Sequence, residues 1–258
     1  MDERIRTLRS LEPSNSGRTS YLAILETAAG LFAQFPAQDI TLRDILSISG
    51  VSNQTLYNYF PNGRDDIAIA LYDRFQRTMV EDFNNNIRLI NHDDIQEEST
   101  IISSLSASLA RAVFGFLKET FALQSTLFTY LSIHNLVLVA SHAEELEEAL
   151  MRGLALHGGN HFATSELPRI VRVSVHTVRG IADEAMQNRD FSIDELESNA
   201  RKMVRSLLRT GLKGQDGPSG SHAFRSDATG SFAIVGAPIS SSKRRGIMER
   251  ILKRKQRT

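Results

Sequence analysis

Ser52, Asn53, Gln54, Thr55, Tyr57 and Asn58 line up hydroxyls and carboxamides in near succession, broken only by Leu56. None of them is a strong acid, base or nucleophile, so this row suits recognition better than catalysis. Carboxamides pair bidentately with the edge of adenine, and hydroxyls or helix-terminal N–H groups suit phosphate. Thr41 and Arg43 lie just upstream, and the arginine fork matches the N7 and O6 of guanine. Tyr59 and Arg64 follow downstream. The chain has no cysteine, which removes thiolate metal sites, disulfides and a thiol nucleophile. No Ser-His-Asp ordering, G-x-S-x-G, P-loop or G-x-G-x-x-G occurs, so no enzyme is expected. His134, His142, His157 and His161 lie near Glu144, Glu145, Glu147 and Glu148. The glycine pair Gly158-Gly159 keeps His157 and His161 from sharing a rigid helical face, and neither a metal nor a cofactor is expected.

Short helices must position the polar row. Apolar residues recur at helical spacing from about residue 18 to 212, which predicts an all-α chain. Tyr21, Ile24, Leu25, Ala28, Leu31, Phe32 and Phe35 form one stripe, ended by Pro36. Thr41 with Asp44 three residues on has the pattern of a capping box opening a short helix over 42–49, and Gly50 stops it. Ser52 caps the next, through Tyr59, with Ile45, Val51 and Leu56 as apolar anchors between the two. Short helix, glycine turn, short helix is the helix-turn-helix arrangement, whose second helix presents its first residues to the major groove. After Pro61-Asn62-Gly63, a helix of about 25 residues carries Ile67, Leu71, Phe75, Met79, Phe83 and Ile87. Further helices are predicted at about 99–123, 125–140, 143–156, 166–188 and 193–211.

LETAAGLFAQF followed by TLRDILSISGVSNQTLYNYFPNGRDD resembles the N-terminal DNA-binding domain of TetR/AcrR-family transcriptional regulators over about residues 20–72. The matching positions are Ala28, Leu31-Phe32, Thr41, Arg43, Ile45, Gly50-Val51-Ser52, Thr55-Leu56-Tyr57 and Tyr59-Phe60-Pro61. The resemblance implies phosphate contacts from Thr41, Thr55, Tyr57 and Tyr59, and base contacts from Arg43, Asn53 and Gln54. Thr41 also suits a pure helix cap and Tyr57 a packing role. The sequence departs from the family pattern in four places. Leu46 stands where a small alanine is usual, and Pro36-Ala37 replace a glycine and an aromatic, leaving Phe35 to supply the ring. Gly63 stands where a phosphate-binding lysine is common, with Arg64 as its replacement.

The expected domains are a flexible arm over 1–17, the helix-turn-helix domain over 18–72, a helical ligand-binding and dimerisation domain over 73–212, and a disordered tail over 213–258. The resemblance implies a homodimer on a pseudo-palindromic operator, with Ile170, Val173, Thr177, Ile181, Leu196, Met203, Val204, Leu207 and Leu208 as the dimer face. Met79, Phe83, Phe114, Phe121, Phe128, Tyr130, His134 and His176 are candidate linings of an effector pocket for a small, largely hydrophobic molecule, although each also suits the core.

Thirty basic and thirty acidic residues cancel. By segment they do not: residues 1–74 hold 7 basic and 9 acidic side chains, 75–212 hold 13 and 18, and 213–258 hold 10 and 3. A nearly neutral reading head puts the burden of specificity on Arg43 and uncharged groups. Arg4, Arg6, Arg9 and Arg18 before the first predicted helix, and the tail's SKRRGIMERILKRKQRT, are the candidate sources of electrostatic affinity. Strong salt dependence is then expected to vanish with the last sixteen residues, which also have an apolar face suited to a membrane surface or a protein partner. No signal peptide and no apolar run of membrane-spanning length is found, so a cytoplasmic location is expected. The predicted function is a ligand-responsive repressor that leaves its operator on binding effector. The alternative is an all-α interaction or membrane-associated adaptor working through the basic tail.

Overall fold

The computed structural model describes residues 3–90, 98–134, 139–158, 162, 165–187 and 191–212. The tail and the roles expected of it lie outside these residues. The helices are α1 (Glu3–Leu11), α2 (Arg18–Gln34), α3 (Leu42–Ser49), α4 (Asn53–Tyr59), α5 (Arg64–Arg88), α6 (Glu98–Ile133), α7 (Val139–Gly158), α8 (Leu167–Gln187) and α9 (Ile193–Arg209), with a 3-10 turn at Ala37–Asp39. The all-α expectation holds throughout the described residues.

The expected flexible arm contains a docked helix. Ile5 and Leu8 of α1, three residues apart, are buried. Arg4 pairs with Asp66 at 2.8 Å, and Arg9 with Asp73 at 2.7 Å and Glu145 at 3.4 Å. Asp66 and Asp73 are 1% and 3% exposed, and carboxylates so buried need a counter-charge. The hydrogen bond to Asp73 raises the affinity of Arg9 for its proton, against the opposing effect of burial. Arg4 and Arg9 are therefore committed to α5 and α7 rather than free to follow a DNA backbone. Arg6 and Arg18 remain exposed.

Two apolar cores result. The first gathers α1 to α4 and the start of α5, with Ile24, Phe32, Ile45, Leu56, Phe60 and Ile67 fully buried. It also takes in Leu123, Leu127, Tyr130 and Leu131 from the second half of α6. The second core lies between the rest of α5, the first half of α6, and α7, α8 and α9. The expected boundary at 72/73 thus falls inside α5, which runs through both cores, and α6 joins them a second time.

The break expected between helices over 99–123 and 125–140 is present as a kink inside α6, a few residues earlier than expected. Thr120 sits at φ −121° and ψ 20° within it. The Thr120 hydroxyl donates to the Phe116 carbonyl at 2.8 Å and accepts from Gln124 Nε2 at 2.6 Å. Side-chain bonds to the preceding turn bend helices, and the bend spares an inert break. The stretch Ser99–Ile133 is long and apolar enough, at a mean hydropathy of 1.5, to cross a membrane, which corrects the expectation that no stretch qualifies. Its best window is 56% buried within the fold, as suits a core helix.

Candidate nucleic-acid interface

The turn between α3 and α4 is built locally. Thr41 Oγ1 accepts from the Asp44 N–H at 3.2 Å while Asp44 accepts from the Thr41 N–H at 2.9 Å, the expected capping box. Gly50 closes α3 at φ 69°, a left-handed conformation that disfavours side chains, and its N–H donates to the Leu46 carbonyl at 3.0 Å. Ser52 then caps α4, accepting from the Thr55 N–H at 3.1 Å. Fully buried Ile45 and Leu56 fix the two helices against α2 and its core. The aromatic substitution is also visible: Phe35 packs against this core while Ala37 is buried behind it. Leu46 is accommodated half-buried at the same core.

With the apolar anchors inward, the polar row faces out. Arg43, Ser52, Asn53, Gln54, Tyr57 and Asn58 are exposed, Tyr57 at 44%. Thr55 is half-buried and shares a 2.8 Å hydrogen bond between its hydroxyl and that of Ser52. The Thr41 hydroxyl donates to Asp44 at 2.6 Å, so in the free chain it serves the cap.

Two expected phosphate ligands are placed elsewhere. Tyr59 is half-buried, its ring edge-on to Tyr21 at 5.6 Å and its hydroxyl donating to the Gly17 carbonyl at 3.4 Å. Arg64 is turned inward. Its Nη1 donates to the carbonyls of Ile40 at 2.5 Å and Ala37 at 3.3 Å, and its Nε to the Tyr130 hydroxyl at 3.1 Å. The guanidinium also lies 5.0 Å from the Tyr130 ring centroid, and the Tyr130 hydroxyl donates to Asp65. Arg64 thus ties the segment entering α3 to the second half of α6. Gly63 has its own reason: φ is 60° and an added Cβ would come within 2.7 Å of Leu42, so a lysine there would be strained.

Sequence spacing missed Ile48. Three residues after buried Ile45, it reads as core, yet it is 49% exposed at the end of α3. An eight-residue helix turns only a narrow face inward, and no sequence signal separates the two outcomes.

The expected effector lining disperses. Phe83 and Phe114 are fully buried core residues, and Phe121 and Phe128 pack half-buried against that core. Tyr130 belongs to the Arg64 contact, exposed His134 stacks on it at 4.3 Å, and exposed His176 lies 3.5 Å from Glu147. Met79 alone of the eight lines a cavity of about 30 Å³ between α5, α6 and α8. That cavity has polar groups the sequence reading passed over: Gln76, Gln124, Arg179 and Asp183. Arg179 is 5% exposed, and its Nη2 donates to the Tyr72 hydroxyl across a long 3.5 Å. Arg179 Nη1 and Gln76 Oε1 are buried without a partner. Burial pushes the Asp183 carboxyl up to about 6, with the Arg179 guanidinium opposing, and burial likewise raises the Tyr72 phenol. A signal existed: Arg179 falls on the apolar stripe of Val171, Val175, Val178 and Ala182, and Gln76 on that of Tyr72, Met79 and Phe83.

The expected dimer face is corrected in part. Ile170, Val204 and Leu208 are buried within the chain's own second core, so they cannot meet a partner. Val173 and Met203 are 44% and 49% exposed, and Thr177, Ile181, Leu196 and Leu207 are half-buried. Among the described residues no three His, Asp or Glu side chains cluster as metal ligands, and the side chains of His142 and His161 lie outside the description.

Residues 24–75 match the family model for bacterial regulatory proteins of the tetR family. The HTH-type transcriptional regulator EthR of Mycobacterium tuberculosis is 38% identical over 69 residues, which span 27% of this chain and 31% of EthR. Among solved structures, a TetR-family transcriptional regulator from Pectobacterium atrosepticum superposes with a TM-score of 0.58 at 14% identity, covering 78% of this chain and 98% of that one. Another from Streptomyces coelicolor gives 0.53 at 17% identity, covering 74% and 81%. At such identities these structures establish the fold, while the N-terminal matches establish the domain. Residues 24–75 of this chain are a helix-turn-helix DNA-binding domain of the tetR family, carried on the all-α fold of TetR-family regulators.

Proposed function

We propose that this protein is a cytoplasmic, homodimeric transcriptional repressor that reads a pseudo-palindromic operator and leaves it when a small, largely hydrophobic effector binds the C-terminal domain. The observation that carries this reading is the exposed polar row on a helix whose apolar side is fully anchored: Ser52, Asn53, Gln54, Tyr57 and Asn58 outward, Leu56 inward. Asn53 and Gln54 read adenine edges and Arg43 reads guanine. Tyr57, Thr55 and exposed Arg18, at the start of α2, hold phosphate, and Ile48 is available to a thymine methyl.

A single helix-turn-helix touches few base pairs, so a twofold pair of half-sites about 34–36 Å apart supplies the specificity. Exposed Val173 on α8 and Met203 on α9 are the apolar groups on the expected dimer face that remain available to a partner. The link from body to head is the α6 segment carrying Tyr130, because Arg64 holds that residue to the carbonyl of Ile40, one residue before the α3 cap. An effector shifts DNA binding only by its preference for one arrangement of that link. Selection of bound sequences from a random DNA library by the full chain tests the reading. A two-half-site consensus supports it, and recovery of no enriched sequence sinks it.

A further inference from the structure

The cavity between α5, α6 and α8 has the properties of a selective site rather than a packing defect. Buried polar atoms in native proteins are almost always paired, and here two on different helices are not: Arg179 Nη1, a donor, and Gln76 Oε1, an acceptor. Both side chains are more than nine-tenths buried, at 5% and 8% exposure. We propose that this cavity takes an uncharged ligand whose apolar body carries one amide-type head, its carbonyl held by Arg179 and its N–H by Gln76 and Asp183. The proposal rests on the reading of the chain as an effector-responsive regulator, and it names the effector's chemical class.

Charge selects the head. Arg179 and Asp183 stand four residues apart on α8, so a cation and a carboxylate already face the same space. An anionic head adds a second negative charge beside Asp183, and a cationic head a second positive charge beside Arg179. Either leaves net charge beside the buried Arg179 and Gln76, where water screens little, which is costly. A neutral C=O beside N–H satisfies the orphaned donor and acceptor together. The Gln76 carboxamide serves in either orientation, because an amide partner offers both a donor and an acceptor.

The walls select the body. The rings of Phe75 and Phe116 are tilted at 54° with centroids 5.5 Å apart, and Met79 and Met186 add flexible apolar lining. At about 30 Å³ the cavity has room for roughly one water. Entry of a larger body requires the two flexible methionines to swing and the α6 bend to open. Phe116 and Gln124 line the cavity from opposite sides of Thr120, and beyond the bend Leu127 and Tyr130 belong to the core of the DNA-binding domain. Filling the cavity therefore acts on the one helix that enters both cores through a bend.

Three probes sharing one body test this on the full-length protein: 4-phenylbutanamide, 4-phenylbutanoate and 4-phenylbutylammonium, titrated by calorimetry. The amide is expected to bind about tenfold or more tighter than either charged analogue, as befits one buried hydrogen bond gained against one charge mismatched. Arg179→Met and Gln76→Leu are each expected to weaken the amide by about tenfold. They lie on different helices, so one suffices if the other fails to fold, and the wild-type ranking needs neither. Equal or tighter binding of a charged analogue, no binding of any of the three, or an amide affinity untouched by substitution overturns the proposal. Operator affinity is measured separately by fluorescence anisotropy. Amide binding that leaves it unchanged keeps the site and refutes the effector-responsive reading instead.

Discussion

The exposed row on α4 and the buried cluster around Arg179 both hold hydrogen-bonding groups with capacity to spare, and they arise in opposite ways. Ser52, Asn53, Gln54, Tyr57 and Asn58 all fall within residues 52–58, solvated and positioned by bonds spanning three or four residues. Gln76, Gln124, Arg179 and Asp183 come from three helices up to 107 residues apart, the first three buried and Asp183 half-buried. The first arrangement costs the fold little, since water serves each group until DNA replaces it. The second carries a standing cost in the free protein, of the kind a fold retains at a functional site. A short motif can therefore be transplanted whole between proteins, whereas a convergent site must be rebuilt with each chain.

The largest test of that contrast removes what holds the exposed row in place. Leu56→Ala, at a fully buried position, is expected to destabilise the N-terminal core by about 2–5 kcal/mol, seen in a denaturant titration followed by circular dichroism. Substituting exposed Asn58 with alanine is expected to change stability by less than about 0.5 kcal/mol.

The buried cluster should reveal itself through pH. With its carboxyl raised from 3.8 to about 6, Asp183 binds its proton more firmly in the folded chain than in the unfolded one. Its contribution to stability is complete below about pH 4 and is lost as pH rises through about 6. Asp183→Asn should therefore lessen the fall in stability between pH 4 and 7 by on the order of 2 kcal/mol. An unchanged pH profile would mean that Asp183 is solvated like the α4 row. The smallest effect concerns the cap. Thr41→Ala is expected to cost about 1 kcal/mol of stability, because the hydroxyl that receives the Asp44 N–H is lost. If operator affinity falls far more than stability, the hydroxyl leaves Asp44 for a phosphate in the complex.

The same contrast explains what could be read from the sequence. The capping box at Thr41, the left-handed Gly50, the Ser52 cap and the 25-residue α5 all follow from neighbours in sequence, and all appear as expected. Arg4, Arg9 and Arg64 looked available for phosphate, yet each is engaged by groups 24 to 136 residues away. A charged side chain gives no local sign of whether a distant carboxylate or carbonyl awaits it. The effector lining was sought among aromatic residues, and Phe83 and Phe114 proved to be ordinary core. The better clue was polarity in the wrong place, Arg179 and Gln76 on stripes otherwise apolar. The bend at Thr120 was legible only approximately, as a helix break expected at residue 124, because the apolar pattern continues across both positions.

The central claim is that uncharged side chains at the start of α4 read DNA sequence. The direct measurement is an anisotropy titration of a selected operator, and of a scrambled duplex, with the wild-type chain and with Asn53→Ala/Gln54→Ala. Each lost bidentate contact is worth about 1–3 kcal/mol, so operator affinity should fall by about tenfold or more while scrambled binding and the thermal melt stay unchanged. Equal operator affinity in the variant and the wild type would contradict the account.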